Sequence, residues 1–204
     1  MRVYYTKTDP LYDKELFDYL YDRLCFERRN KIDRLRQDRD KMLSLAAGTL
    51  LKYGLCEYGI SDDEVIYDGR KPRVLNRDVY FNVSHSGNRA MCVISDDEVG
   101  CDCQIIDRYR REAAEKFFCK NEIALIEKSA DKGAEFCRLW TLKECLLKLK
   151  GCGISDLKSA DVLNADNCCF KQYELYDGYK YSVCSYQNDF PEGMDFIDLE
   201  LLKP

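Results

Sequence analysis

The chain is poor in the residues and segments that most often build metal centres and membrane anchors. Its 204 residues include one histidine and four prolines, and no cysteine pair has the C-x-x-C spacing, so we expect no structural zinc site. No stretch approaches the roughly 20 apolar residues that a membrane-spanning helix needs, and no apolar run follows a basic start. We therefore predict a cytoplasmic protein that makes no use of a membrane.

Cysteine, by contrast, is abundant. The chain has twelve cysteines, most of them inside apolar strand-like or helix-like patterns rather than in loops. A disulfide scaffold would place them in a short secreted chain, whereas reduced thiols behave as small apolar residues. The pattern therefore favours buried thiols in a reducing compartment.

Charge is distributed unevenly along the chain. The net charge of −5 argues against a general nucleic-acid binder. Between residues 28 and 41, however, seven basic residues face only three acidic ones. Such an island is either a solvated helix face with i,i+4 ion pairs or a patch that binds phosphate. Composition alone leaves both interpretations open.

Hydrophobic periodicity predicts an α+β (mixed α/β) fold of helices and mostly antiparallel strands. The predicted strands cover residues 2–6, 64–67, 79–83, 90–94, 99–106, 171–176 and 179–186. The predicted helices cover residues 11–24, 38–58, 111–118, 122–129 with Asn121 as its N-cap, and 134–150. We expect two lobes, an N-terminal one over residues 1–97 and a C-terminal one over residues 98–204. The C-terminal lobe would carry the candidate metal ligands that are named below.

Two separated segments carry the side chains best suited to chemistry. In the strand around residue 102, Asp102 and Gln104 point to the same face because strand side chains alternate. In the last long helix, Glu144 and Lys148 stand four apart and share a face. Together they would supply carboxylates, an amide and an ammonium, which suit a hard cation and a phosphate. The alternative is an ordinary surface Glu–Lys pair and an aspartate that closes a turn.

The single histidine, His85, follows Ser84 at the end of a predicted strand. An isolated histidine is often structural, but here hydroxyl and imidazole donors could converge on a phosphate. The turn over residues 69–72, Gly-Arg-Lys-Pro, could let the backbone approach a flat base, although an exposed turn explains it equally well.

Seven short motifs occur in a characteristic order. They are R-R-N-K (28–31), S-L-A-A-G (44–48), G-R-K-P (69–72), N-V-S-H-S (82–86), G-C-D-C-Q (100–104), F-F-C-K-N-E (117–122) and W-T-L-K-E-C-L-L-K (140–148). Each is weak alone, but the ordered set resembles the surfactin-synthetase type of 4′-phosphopantetheinyl transferase over residues 1–190. The resemblance implies two similar lobes related by a pseudo-two-fold axis, with coenzyme A bound between them.

The resemblance also implies a reaction. Phosphopantetheine would pass from coenzyme A to a serine of an acyl or peptidyl carrier protein, with magnesium as cofactor and adenosine 3′,5′-bisphosphate as the second product. Because one chain contains both of the similar lobes, the resemblance also implies that the protein works as a monomer. The carrier would be a small acidic helical bundle, and the helices between residues 111 and 129 are candidates for its docking.

Carried over by position, the resemblance makes Asp102 and Glu144 magnesium ligands. Gln104 stands where the family's motif has glutamate, so we expect a weaker third ligand, or a water in its place, and retained activity. The residues implied to bind coenzyme A are Lys143, Lys148, Ser84 and His85 near the phosphates, Arg28, Lys31 and Ser44 at the 3′-phosphate, and Lys71 and Pro72 at the adenine.

Catalytic roles follow from the same match. Lys148 would stabilise charge on the leaving phosphate and His85 would hold the nucleotide. The serine proton would go to Glu144, directly or through a metal-bound water, or to Glu122, and the sequence does not decide between them. Two other functions remain: a non-catalytic module that binds coenzyme A or a carrier protein, and an interaction protein whose charged helices are merely solvated.

Overall fold

The structure is a computed structural model that describes residues 1–68, 71–165 and 167–203. Gly69 and Arg70 of the predicted turn lie outside the described residues. The helices are α1 Lys14–Asp22, α2 Phe26–Asp33, α3 Asp38–Glu57, α4 Arg111–Phe117, α5 Lys120–Lys128 and α6 Lys132–Lys150. The strands are β1 Arg2–Lys7, β2 Val65–Ile66, β3 Arg73–Val74, β4 Tyr80–Ser86, β5 Arg89–Ser95, β6 Val99–Ile105, β7 Cys169–Tyr173, β8 Tyr179–Ser185 and β9 Asp195–Phe196.

The first sheet has the strand order β4-β5-β1-β9 and is covered by α3. Its central strand β5 is buried along its whole length, because alternate side chains enter two different cores. Cys92 and Ile94 pack with the helices, whereas Met91 and Val93 pack with the second sheet. The predicted strands at residues 2–6 and 90–94 are confirmed.

The second sheet is antiparallel, with the order β6-β8-β7, and α6 packs against β6 and β8. The hairpin predicted around residues 177–178 joins β7 to β8, where Gly178 takes a φ of +83° that glycine adopts without strain. In β6, Cys101 and Cys103 enter the core between the sheets. The structure is therefore layered as α3, first sheet, second sheet and α6.

Helix α6 lies much closer to β6 than side chains would normally allow. An added Cβ on Gly100 would stand 2.0 Å from the Cys145 carbonyl oxygen and 2.7 Å from the Leu149 nitrogen, so only glycine fits there. The helix is buried on nearly every side rather than along one stripe. It ends where Gly151 takes the left-handed conformation, as predicted.

Two predictions about helices need correction. Helix α2 was not predicted, because its polar sequence, Phe-Glu-Arg-Arg-Asn-Lys-Ile-Asp, has no apolar period. Asn121 is not the N-cap of α5, which begins at Lys120 after Cys119. There the Glu122 carboxylate accepts a hydrogen bond from the Cys119 backbone nitrogen at 2.8 Å, so this end of the helix is capped from inside the first turn.

The last strand returns to the first sheet. β9 pairs in parallel with β1, and Ile197 and Leu199 are buried in the core under α3. All twelve cysteines lie in the described part of the chain and are free. No described helix combines the length and the apolar character that crossing a membrane would require.

Candidate active site

A cavity of about 410 Å³ opens between the two sheets. Elements from both halves of the chain line it: α2, α3 and β4 on one side, β6 and α6 on the other. The lining residues are Arg28, Lys31, Ser44, Ala47, Val83, Ser84, His85, Asp102, Gln104, Trp140, Glu144 and Lys148. The predicted strand residues and helix residues therefore meet at one place.

Asp102 is the most constrained of these side chains. It is 5 % exposed, and its Oδ1 accepts hydrogen bonds from Ser84 Oγ at 2.6 Å and Lys148 Nζ at 2.7 Å. Its Oδ2 is buried and has no hydrogen-bond partner within residues 1–68, 71–165 and 167–203. A buried carboxylate oxygen left without a partner is costly, which points to a ligand that is not part of the chain.

Lys148 holds three groups of the cavity together. Besides Asp102, its ammonium donates to Ser84 Oγ and to the Cys101 carbonyl oxygen, each at 3.0 Å. Burial by itself would lower the pKa of Lys148, but the adjacent Asp102 carboxylate outweighs it and raises the pKa above the usual value. Lys148 is therefore a fixed positive charge at neutral pH.

Glu144 is the second carboxylate of the cavity and is 9 % exposed. Burial, and then the charge of Asp102, raise the pKa of Glu144, while Lys148 opposes them. Both carboxylates line the same cavity. Glu144 therefore holds a proton more readily than a solvated glutamate does.

The donor set can be compared with the needs of a metal ion. Among the described residues, no group of three or more His, Cys, Asp or Glu side chains is arranged to hold one. The cavity offers two carboxylates, the unpartnered Oδ2 of Asp102 among them, together with the amide of Gln104. This set fits a hard cation such as magnesium, which takes its remaining ligands from substrate oxygens and water.

The opposite wall of the cavity is basic. Arg28 is buried, and its Nε donates to the Tyr67 hydroxyl at 3.0 Å. Burial lowers the pKa of Lys31, and the charge of Arg28 lowers it further. His85 is exposed at the cavity, but the surrounding protein removes water from part of its environment and lowers its pKa, and the charges of Lys31 and Lys148 act in the same direction. His85 is therefore less readily protonated than a solvated histidine.

Ser44 adds a polar group to this wall. Its Oγ is buried and has no hydrogen-bond partner in the part of the chain that the structure describes. Because hydroxyls buried in folded proteins are normally paired, the free Ser44 Oγ on the cavity wall indicates a place for a polar ligand atom. Arg28, Lys31 and His85 form the rest of the surface there.

Comparisons with known proteins bear on this site. Residues 98–194 match the 4′-phosphopantetheinyl transferase superfamily. The 4′-phosphopantetheinyl transferase ffp of Bacillus subtilis is 30 % identical over 223 residues, covering 99 % of this chain and 100 % of the relative. This chain belongs to the 4′-phosphopantetheinyl transferase family.

Two further members of the family are similar over most of their length. The transferase Sfp of Bacillus subtilis (strain 168) is 28 % identical, with 99 % of this chain and 100 % of the relative covered. The transferase gsp of Aneurinibacillus migulanus is 28 % identical, with 91 % and 86 % covered. The resemblance predicted from the ordered motifs is confirmed.

Lys143, predicted to lie near the phosphates, does not reach the cavity in this family member. Its side chain is 0 % exposed. The ammonium donates to both Glu122 oxygens at 2.8 and 2.9 Å and to the Ala160 carbonyl oxygen at 2.6 Å. Since one residue along a helix turns the side chain by about 100°, Lys143 points away from the face that carries Glu144. Glu122, the second candidate for the base, is fully buried against Lys143 and does not line the cavity either.

Replacing Lys143 by methionine is expected to destabilise the fold by about 3–5 kcal/mol, because a buried Glu122 carboxylate would lose its counter-charge. Urea unfolding followed by circular dichroism measures this. Adding Glu122→Gln in the same chain removes the unpaired charge and keeps the acceptor for Cys119, so part of the loss is expected to return. An unchanged unfolding midpoint in Lys143→Met would contradict this account.

Lys71 and Pro72 also lie outside the cavity lining. The Lys71 ammonium donates to the Val99 carbonyl oxygen at 2.8 Å, so it ties the loop before β3 to the start of β6. The structure therefore does not bring these two predicted contacts to the other site residues. Gly69 and Arg70, the first half of that motif, are not among the described residues.

The apolar part of the wall was not predicted as a site. Ala47, Val83 and Trp140 line the cavity beside the charged groups. Trp140 stacks on Phe136, with ring centroids 6.0 Å apart, and also lines a neighbouring cavity of about 330 Å³. Trp140 is the first residue of the W-T-L-K-E motif, which could have indicated a role in the site. The functional roles were instead assigned to the charged residues of that motif.

Proposed function

We propose that this chain transfers 4′-phosphopantetheine from coenzyme A to a serine hydroxyl of a carrier protein and releases adenosine 3′,5′-bisphosphate. The observation that carries the proposal is that one cavity combines a basic wall with two carboxylates, of which Asp102 has an oxygen that finds no partner among the described residues. A diphosphate needs positive charge along its length and a cation between its oxygens. The relatives named 4′-phosphopantetheinyl transferases support the same reaction.

In this reaction the serine oxygen forms a bond to the phosphorus that bears pantetheine. The bond from that phosphorus to the bridging oxygen breaks, and the nucleotide leaves with the electron pair. The serine proton must pass to a base, and Glu144 is our candidate, because its carboxylate lines the cavity together with Asp102 and Lys148. Lys148, held as a cation by Asp102, would stabilise charge on the leaving group.

Asp102, through Oδ2, and Glu144 would hold the magnesium ion, with Gln104 as a neutral neighbour. Held by these residues, magnesium would supply positive charge against the diphosphate. Glutamine in place of the family's glutamate leaves two charged ligands, so we expect weaker cation affinity. Arg28, Lys31, Ser44, Ser84 and His85 would bind the nucleotide phosphates, where an arginine fork suits phosphate geometry.

The basic island divides between both interpretations given for it. Arg28 and Lys31 line the cavity, and we assign them to the 3′-phosphate of coenzyme A. Arg34 and Arg36 are exposed to solvent and form the solvated part of the island, whereas the exposed Arg39 donates to the Gly87 carbonyl oxygen at 3.1 Å.

We further propose two similar lobes, residues 1–97 and 98–204, related by a pseudo-two-fold axis. Each has a sheet with one long helix packed on it, α3 in the first and α6 in the second, which supports the proposal. Residues 195–199 nevertheless lie with the first sheet. We propose a monomer that acts in the cytosol on an acyl or peptidyl carrier, docked against α4 and α5.

The test uses the full chain with apo carrier protein, coenzyme A and magnesium, and measures the intact mass of the carrier. A gain of one phosphopantetheine is expected, and it should depend on the magnesium concentration. Tight coenzyme A binding without a mass gain would instead support a non-catalytic binding module. Absence of coenzyme A binding would support an interaction protein and end the proposal.

A further inference from the structure

The two sheets meet along a seam made by side chains rather than by a backbone ladder. Among the described strands, β4 and β6 belong to different sheets. Alternate residues of β4, which share one face, bridge to β6. The bonds join Asn82 Oδ1 to Cys101 N at 3.1 Å, Ser84 Oγ to Asp102 Oδ1 at 2.6 Å, and Ser86 Oγ to Ile105 N at 3.2 Å.

The seam runs along the cavity. Ser84 and His85 line the cavity from β4, whereas Asp102 and Gln104 line it from β6. A change in the width of the seam would therefore change the distance between the basic wall and the carboxylates. The apolar core between the sheets supports the seam along its length, and the contacts at the end of the seam set the position of the last residues of β4.

Tyr179 sits at that end. It is the first residue of β8 and pairs in register with Ile105 of β6. Its buried side chain reaches the turn after β4, where the hydroxyl accepts a hydrogen bond from Asn88 N at 2.9 Å and donates one to Asn88 Oδ1 at 2.8 Å. One hydroxyl of the second sheet thus contacts both the backbone and the side chain of Asn88, whose side chain also binds Asp9 and Arg89.

The turn is shaped to receive this hydroxyl. Gly87 has a φ of +60°, and an added Cβ there would stand 2.0 Å from the Tyr179 hydroxyl oxygen. Next to it, Arg89 donates to Asp177 Oδ2 at 3.0 Å and lies over the Tyr179 ring at 5.0 Å. The ring is therefore held independently of its hydroxyl, which allows the hydroxyl to be removed alone.

We propose that Tyr179 is a positioning residue for the transfer reaction: by binding Asn88, it fixes the end of β4, and with it His85, relative to Asp102 and Gln104. The inference rests on the proposed function, because it assumes that coenzyme A, the donor of phosphopantetheine, binds across the seam. Tyr179 itself does not line the cavity, so it acts through the strand end.

Tyr179→Phe removes two hydrogen bonds and keeps the ring. Coenzyme A is assumed to span the seam, so its binding should weaken when the end of the seam loosens. We expect the loss of two neutral hydrogen bonds to raise KM for coenzyme A about tenfold. The KM for the carrier protein is expected to stay at the wild-type value. A merely structural defect would lower the active fraction and hence kcat, with both KM values unchanged.

Two further variants sharpen the test. Asn88→Ala removes the side-chain acceptor but keeps the backbone N–H that donates to the Tyr179 hydroxyl, so through this contact it is expected to raise KM for coenzyme A by a smaller factor. The double variant is expected to be no worse than Tyr179→Phe alone, because residues that act through one contact are not additive. The matched control is Tyr176→Phe in the same hairpin, which is 93 % exposed and is expected to leave both KM values unchanged.

Wild-type KM for coenzyme A in Tyr179→Phe, or fully additive losses in the double variant, would overturn the inference. If Tyr179→Phe does not fold, as judged by circular dichroism, Asn88→Ala carries the same test. The wild-type arm separates the two levels: a wild-type chain that transfers nothing refutes the proposed function, and this inference with it. Transfer by wild type with an unaffected Tyr179→Phe refutes the inference alone.

Discussion

Asp102→Asn is expected to lower the rate of phosphopantetheine transfer at least about 100-fold, since loss of several kcal/mol of charge stabilisation has an effect of that size. The substitution keeps the shape of the side chain and an acceptor for Ser84. It removes the negative charge that Asp102 directs into the cavity. The Oδ2 atom of Asp102 has no partner within the described residues. Carrier mass over time measures the rate.

The control for this variant is Asp96→Asn. Asp96 is an exposed aspartate in the turn between β5 and β6, and its neutralisation is expected to leave the rate unchanged. Circular dichroism of both variants tests whether the fold is retained. A rate within twofold of wild type for a folded Asp102→Asn would refute the assignment of Asp102 as a cation ligand.

Lys148→Met is expected to lower transfer about 100-fold, the usual scale for removing one preorganised group that stabilises charge in the transition state. The methionine fills a similar volume, but Ser84, Cys101 and Asp102 each lose a hydrogen bond from the ammonium. Coenzyme A affinity is expected to fall as well. Steady-state transfer and calorimetric titration with coenzyme A measure the two effects separately.

Lys150→Met provides the matched control. Lys150 ends the same helix and is exposed, so the same change of side chain there is expected to leave transfer and affinity intact. Lys148→Arg tests geometry, because a planar guanidinium cannot repeat the three directions in which the ammonium donates. Full activity in Lys148→Met would show that the positive charge at this position has no part in the reaction.

Much of the fold could be predicted from local patterns. The strands around residues 2–6 and 99–106 and the end of α6 at Gly151 followed from alternation and from a glycine stop. Helix α2 could not be predicted in this way, because its stability comes from packing against α3 rather than from an apolar stripe of its own.

The site was predictable only in part. Periodicity puts Asp102 and Glu144 on a strand and a helix, but it cannot bring those elements together; the ordered motifs did that. The same motifs predicted Lys143 near the phosphates, whereas its side chain is buried on Glu122 and does not line the cavity, since neighbours in a helical motif face different directions. The buried ion pair of Lys143 and Glu122 forms only because α5 packs beside α6. The local sequence pattern of either helix does not predict that packing.

The contact between Gly100 and the backbone of α6 sets a limit on how this enzyme can diverge. No side chain separates the strand from the helix there. The position of Asp102 relative to Glu144 is therefore set by a contact between backbone atoms, and substitution of side chains at this contact cannot adjust it gradually. New donor or acceptor preferences must therefore arise at the rim, where side chains are free to vary. Engineering for altered substrates would begin there and leave this junction untouched.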